Sequence, residues 1–196
     1  MPSFPSVDFT DCSVSSNTPT LVTKSINGVE ERATIAGQYW TVGATFRNLS
    51  DSERRQLIGF IMKSRGPYST FDLTLPTTLD DSTGNYTGTI TVATATAGNL
   101  SFTATVSASN TLILKAGDFI KFSNHNKVYM VTDDATSVGT NLTVSLYPAI
   151  RTSATSSHTV THKNVPMTVR FATDNIPFSL DQKLFSSVDI DFIEVL

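Results

Sequence analysis

The sequence predicts a mainly β protein, organised as one domain split by a smaller β-rich insertion and carrying a single helix. Three observations lead there. Apolar residues alternate with Ser and Thr in short runs through much of the 196 residues, and a period of two marks a strand with one face buried. Charged residues make up only 16%, well under the roughly 25% usual for globular domains. Hydroxyl side chains take their place, and Thr suits a pleated, half-buried surface. The stretch from about residue 89 to 163 packs several short strand candidates at close spacing, a character that its flanks do not share.

The first element is a hairpin. Asn27-Gly28 is a strong turn signal between Leu21-Val22-Thr23 and the Glu30–Ile35 stretch. From Tyr39 to Phe46, Trp40, Val42, Ala44 and Phe46 alternate with smaller or polar residues, which reads as a half-buried strand. Ser50 followed by Glu53 forms a capping box, with Asp51 adding negative charge to the first helical turn. Leu57, Ile58, Ile61 and Met62 give the helix one apolar stripe, and Gly66-Pro67 stops it. Tyr68 to Leu75 alternates again as a strand, ended by Pro76.

Residues 77–88 are dense in Asp, Ser, Thr and Gly and read as an exposed connection. Strands are then expected over Thr89–Ala93, Ser101–Val106, Thr111–Leu114, Asp118–Phe122, Val128–Thr132 and Leu142–Tyr147, the signature of a small barrel or sandwich. Asn124, His125 and Asn126 form a hairpin tip, where His125 reads as solvated. A Ser/Thr-rich bridge, Thr152–Thr161, leads back to strands at Met167–Ala172 and Val188–Val195. A terminal strand needs a partner, and Tyr39–Phe46 is the natural one. The division expected is 1–78 and 166–196 for the split domain and 79–165 for the insertion.

Several function classes fall away on chemistry. A net charge of −3 with scattered Lys and Arg lacks the footprint of a nucleic-acid binder. No apolar run approaches the ~20 residues of a membrane span, so no membrane insertion is expected, and Met1-Pro2-Ser3-Phe4-Pro5 does not read as a secretory signal. Cys12 is the single cysteine, so no internal disulfide forms. His158 and His162 are four apart, but in an extended chain that spacing is about 13 Å, too far for one ion. Asp189 and Asp191 share a strand face about 7 Å apart, a separation compatible with paired-acid catalysis. Their alternation with Val188, Ile190 and Phe192 makes them the solvated face of a half-buried strand instead. With no nucleophile elbow or phosphate loop, no catalytic, cofactor or metal residue is assigned and no enzyme is expected.

The order of features has a parallel. Glu31-Arg32, then Gly37-Gln38-Tyr39-Trp40, then Leu49-Ser50 opening a helix that ends at Gly66-Pro67-Tyr68-Ser69-Thr70-Phe71, resembles the distal tail proteins and M-type minor tail proteins of long-tailed bacteriophages. Leu114 to Phe122 followed by Lys127-Val128-Tyr129-Met130-Val131 is similar to the inserted barrel of some of those proteins. The resemblance implies a split β-sandwich with one packed α-helix, carrying an inserted small β-barrel, OB-like or similar. It also implies a structural virion protein of the tail tip or baseplate, made in the host cytoplasm and forming a homo-oligomeric, hexameric ring. The partners it implies are copies of itself, the tail tube protein, the tail hub or tip protein, and a fibre or receptor-binding protein. Phe4, Val7 and Phe9, spaced by polar residues and prolines, are the candidate inter-subunit arm. The alternative is a carbohydrate-binding module reading host surface glycans, for which Tyr86, Tyr129 and Tyr147 are the candidate contacts.

Overall fold

The structure is a computed structural model that describes residues 2–34, 37–76, 86–176 and 188–196. Among the described residues strands account for 46% and helix for 10%, with one α-helix and a closed six-strand barrel. The chain divides into two compact units. One comprises Pro5–Thr70 and Val169–Val195; the other comprises Phe71–Thr168, the first residues up to Phe4, and Leu196.

The discontinuous unit is built on a sheet in which β1 (Asp11–Asn17), β4 (Tyr39–Phe46), β16 (Val188–Glu194) and β15 (Pro166–Phe171) follow one another. The last strand pairs antiparallel with β4, Val188 opposite Phe46 and Phe192 opposite Val42, so the expected closing partnership is present. Alternation does what period two requires: Trp40, Val42, Ala44 and Phe46 are buried, as are Val188, Ile190 and Phe192. Phe171 and Phe192 lie with ring centroids 5.6 Å apart. β1 is an addition to the expected elements: Cys12 and Val14 are half-buried while Asp11, Ser13 and Ser15 are exposed. Two half-buried residues, Cys12 and Val14, are a weak signal for a seven-residue strand.

Helix α1 (Asp51–Ser64) starts at the capping box read from the sequence. Ser50 N donates to Glu53 Oε2 (2.8 Å), and Glu53 N donates to Ser50 Oγ (3.3 Å). The Ser50 hydroxyl, which donates to Glu53 Oε2 (2.6 Å), and then the Ser50 N–H hold the Glu53 carboxyl below its ordinary value. Leu57 and Ile61 are buried, whereas Met62 is 57% exposed; the buried stripe is narrower than expected, and Ser64 continues it. Arg65 ends the helix in the left-handed region and Gly66–Tyr68 form a 3₁₀ turn. The following strand is therefore shorter than expected, β5 (Phe71–Thr74), with Tyr68 exposed.

β15 spans the boundary between the units. Its Thr168 Oγ1 donates to Asp72 Oδ1 of β5 (2.9 Å), while Val169–Phe171 pair with Phe192–Glu194 of β16.

The continuous unit holds β6 (Ile90–Ala95), β7 (Ser101–Thr105), β9 (Phe119–Phe122), β10 (Val128–Val131), β12 (Asn141–Tyr147) and β14 (Thr159–Thr161). Neighbours run β6-β14-β9-β10-β12-β7, and β7 pairs back to β6, which closes the barrel and leaves these six strands no free edge. β13 (Ala154–Thr155) adds to β6, and β8 (Leu112–Leu114) pairs with β11 (Ala135–Thr136). The interior is mainly aliphatic, with a small group of aromatic rings. Phe122 meets Phe102 and Tyr129 edge-on, at 5.0 and 5.4 Å between centroids, the arrangement that ring quadrupoles favour.

Candidate interaction surfaces

Two features stand out, one on each unit. The first is the hairpin of β2 (Thr20–Lys24) and β3 (Glu30–Thr34). The turn forms as expected: Gly28 has φ +80°, Gly28 N donates to the Ser25 carbonyl (2.9 Å), and Ser25 N donates to the Val29 carbonyl (2.8 Å). A positive φ at that position is what glycine supplies at no steric cost. Every described side chain of the two strands is exposed. That includes Leu21 at 55% and Val22 at 52%, and in the turn Ile26 and Val29 are more exposed still. Four large aliphatic groups on one two-stranded ribbon are an unusual presentation to water. The sequence signalled the turn, but its alternation did not say whether either face was covered.

The second is the barrel end around the β9–β10 turn. The imidazole of His125 is half-buried, stacked on Phe122 (5.5 Å) and edge-on to Tyr129. Its Nδ1 lies 2.6 Å from Asn124 Oδ1 and its Nε2 lies 2.8 Å from the Tyr129 hydroxyl. Asn124 Oδ1 only accepts, so Nδ1 carries the proton, and Nε2 accepts from Tyr129. That hydroxyl in turn accepts from Arg151 N (2.9 Å), and Asn124 Nδ2 donates to the Ser153 carbonyl (3.0 Å). Burial, then the charges of Lys121, Arg151, His158 and Lys127, lower the His125 pKa from 6.5 to about 4. The reading of His125 as a solvated tip is corrected: it is a neutral tie between the turn and the 151–153 segment. Sequence spacing gave no hint, because Arg151 and Tyr129 come from distant positions.

Residues singled out from the sequence are placed as follows. Phe4 is half-buried and stacked on Phe71 (5.9 Å), Val7 is 5% exposed, and Phe9 lies 5.3 Å from the ring of Phe46. Tyr129 is fully buried, and Tyr86 is 7% exposed, its hydroxyl donating to the Thr89 carbonyl (3.1 Å) and accepting from Ser107 N (3.2 Å). Tyr147 is half-buried opposite Met130. The structure thus does not bring the three tyrosines together as an exposed groove. His158 Nδ1 accepts from Thr155 N (3.2 Å), whereas His162 is buried with Nε2 3.4 Å from the Tyr86 carbonyl. Asp189 accepts from Thr45 Oγ1 (2.7 Å) on the exposed side of the sheet. Cys12 is half-buried, and burial raises its thiol pKa.

Comparison with known proteins bears on both units. Residues 81–165 match the family model described as "Distal tail protein pb9, B domain". The chain is also 27% identical over 158 residues to the distal tail protein pb9 of Escherichia phage T5, covering 80% of this chain and 76% of that protein. Both likenesses are to phage distal tail proteins. They agree with the resemblance read from the order of motifs. Among the described residues, no helix is long and apolar enough to cross a membrane.

Proposed function

We propose that this chain is a phage distal tail protein, a ring-forming adaptor of the tail tip or baseplate, six copies closing head to tail. In this reading one face of the ring meets the tail tube protein and the other meets the hub, tip or fibre proteins, with residues 79–165 forming an insertion in the ring domain.

The observation that carries the proposal is the exposed β2–β3 hairpin. A two-stranded ribbon is marginal in water by itself, and this one presents Leu21, Val22, Ile26 and Val29 to solvent. Covering those four side chains with a neighbouring copy contributes about 5 kcal/mol, at roughly 2 kcal/mol for each full aliphatic burial. Contacts of this heterologous kind, repeated around an axis, close into rings. Among the described residues β1 lies at the end of its sheet with only β4 beside it, an edge that can also pair between copies. The N-terminal segment is a second assembly element: Phe4 and Phe9 are only half-buried, leaving area for a neighbour.

Light scattering and negative-stain imaging of the purified chain test this. The expected result is a closed ring of six. Changing Leu21 and Val22 to Ser is expected to reduce it to monomer with unchanged far-UV circular dichroism, because neither side chain is in a core. A ring that persists in the double variant, or a chain that stays monomeric even with tail tube protein, refutes the hairpin-mediated ring. Deleting residues 1–10 separately reports on the arm: an unchanged oligomer removes it from the interface.

A further inference from the structure

We propose that the depression at the barrel end around Arg151 is a binding site for an acidic sugar, with the Arg151 guanidinium holding the acid group. The depression is open, of about 360 Å³, and is lined by Asn124, His125, Asn126, Lys127, Arg151 and Thr152, with Leu196 completing the lining. That volume lies within the range of small-molecule sites. No lining side chain is acidic, so an anion entering meets no side-chain carboxylate in the wall.

Arg151 is exposed, and its guanidinium makes no hydrogen bond or ion pair among the described residues. A guanidinium is a planar fork that matches a carboxylate or a phosphate in two parallel hydrogen bonds. Its backbone is held in place, since Arg151 N donates to the buried Tyr129 hydroxyl, which donates to His125 Nε2. The barrel therefore fixes where the Arg151 side chain leaves the backbone, which removes part of the ordering cost of binding. Lys127, 3% exposed, adds positive charge to the same wall.

The remaining polar lining specifies more than a bare anion. Asn124, Asn126 and Thr152 supply amide and hydroxyl groups, which both donate and accept and so complement the hydroxyls of a sugar ring. Burial and the surrounding charges of Lys121, Arg151, His158 and Lys127 keep His125 neutral. A bound acid offsets that positive field, so it raises the His125 pKa from about 4. This gives the site a built-in reporter.

The experiment is a titration of the full chain, following the His125 imidazole and Arg151 side-chain resonances by NMR. The probes are glucuronate, inorganic phosphate, glucose and an oligoaspartate peptide. Glucuronate is expected to give saturable shifts, to raise the His125 pKa, and to bind at least roughly tenfold more tightly than glucose, as the loss of a charge-assisted pair predicts. Arg151→Gln is expected to abolish that preference while leaving the other resonances in place. Arg151→Lys, which keeps the charge but loses the fork, is expected to fall between. Absence of saturation, equal binding of glucose and glucuronate, or an unchanged affinity in Arg151→Gln overturns the proposal. Phosphate equalling glucuronate overturns the sugar assignment, leaving an anion site. Stronger binding of oligoaspartate assigns the depression to an acidic partner protein instead and overturns it too.

Discussion

Lowering the pH from 7 to 4.5 is expected to destabilise the barrel through His125 alone, in addition to the general effect of acid. In the folded chain the imidazole has a pKa of about 4 against an ordinary 6.5. Burial and neighbouring cations disfavour the imidazolium, and protonating Nε2 removes the acceptor that Tyr129 uses. Between those two values the unfolded chain binds more protons than the folded one. Stability is therefore fully present above about pH 6.5, falls as the pH drops through that window, and levels off below about 4. Taken from pH 7 to 4.5, the gap has a ceiling of roughly 2.4 kcal/mol. The ring is only half-buried and solvent screens its neighbours, which brings the expected loss to about 1–2 kcal/mol. Urea unfolding of the wild type and of His125→Gln at both pH values isolates this contribution, because Gln can accept from Tyr129 without titrating. The wild type should lose about 1–2 kcal/mol more than the variant. Equal losses, or an NMR titration of His125 near 6.5, would refute the reasoning that the turn is locked by a neutral imidazole.

Two further substitutions check other parts of the fold. Ser50→Ala removes the acceptor for Glu53 N and one of the donors to the Glu53 carboxylate; unfolding should show a loss of about 1 kcal/mol, and the Glu53 pKa should move up toward its ordinary value. Tyr86→Phe leaves Ser107 N without the hydroxyl it donates to, and thermal unfolding should report a loss of about 1–3 kcal/mol, without change in oligomeric state.

Much of the architecture follows from local pattern. The capping box at Ser50 and Glu53, the Asn27-Gly28 turn, and the alternation of Trp40, Val42, Ala44 and Phe46 are encoded within a few residues of each other, and each forms as read. The pairing of the final strand with Tyr39–Phe46 was legible as well, since a terminal apolar strand must find a partner and that run offered the longest clean alternation.

What the sequence could not express lies in its non-local pairings. Thr159–Thr161 reads as part of a Ser/Thr-rich bridge, with one buried side chain in three, yet it completes the barrel by pairing with both Ile90–Thr91 and Lys121–Phe122. A stave that short has almost no local periodicity; its strand character comes from the two neighbours that bond it. The same holds for the candidate site. Asn124, His125 and Tyr129 are close in the sequence, but Arg151 joins them only because the barrel returns its backbone N–H to the Tyr129 hydroxyl. Nor does a tyrosine's place in the sequence state its burial: Tyr129 and Tyr86 turn their hydroxyls to internal partners, while Leu21 and Val22 are left in water. The sequence by itself determined most of the elements, their order and the resemblance to distal tail proteins, because strand alternation, caps and turns are short-range physics. Only the tertiary structure decided which faces are covered and which groups converge, because burial and long-range hydrogen bonding depend on what the rest of the chain brings alongside.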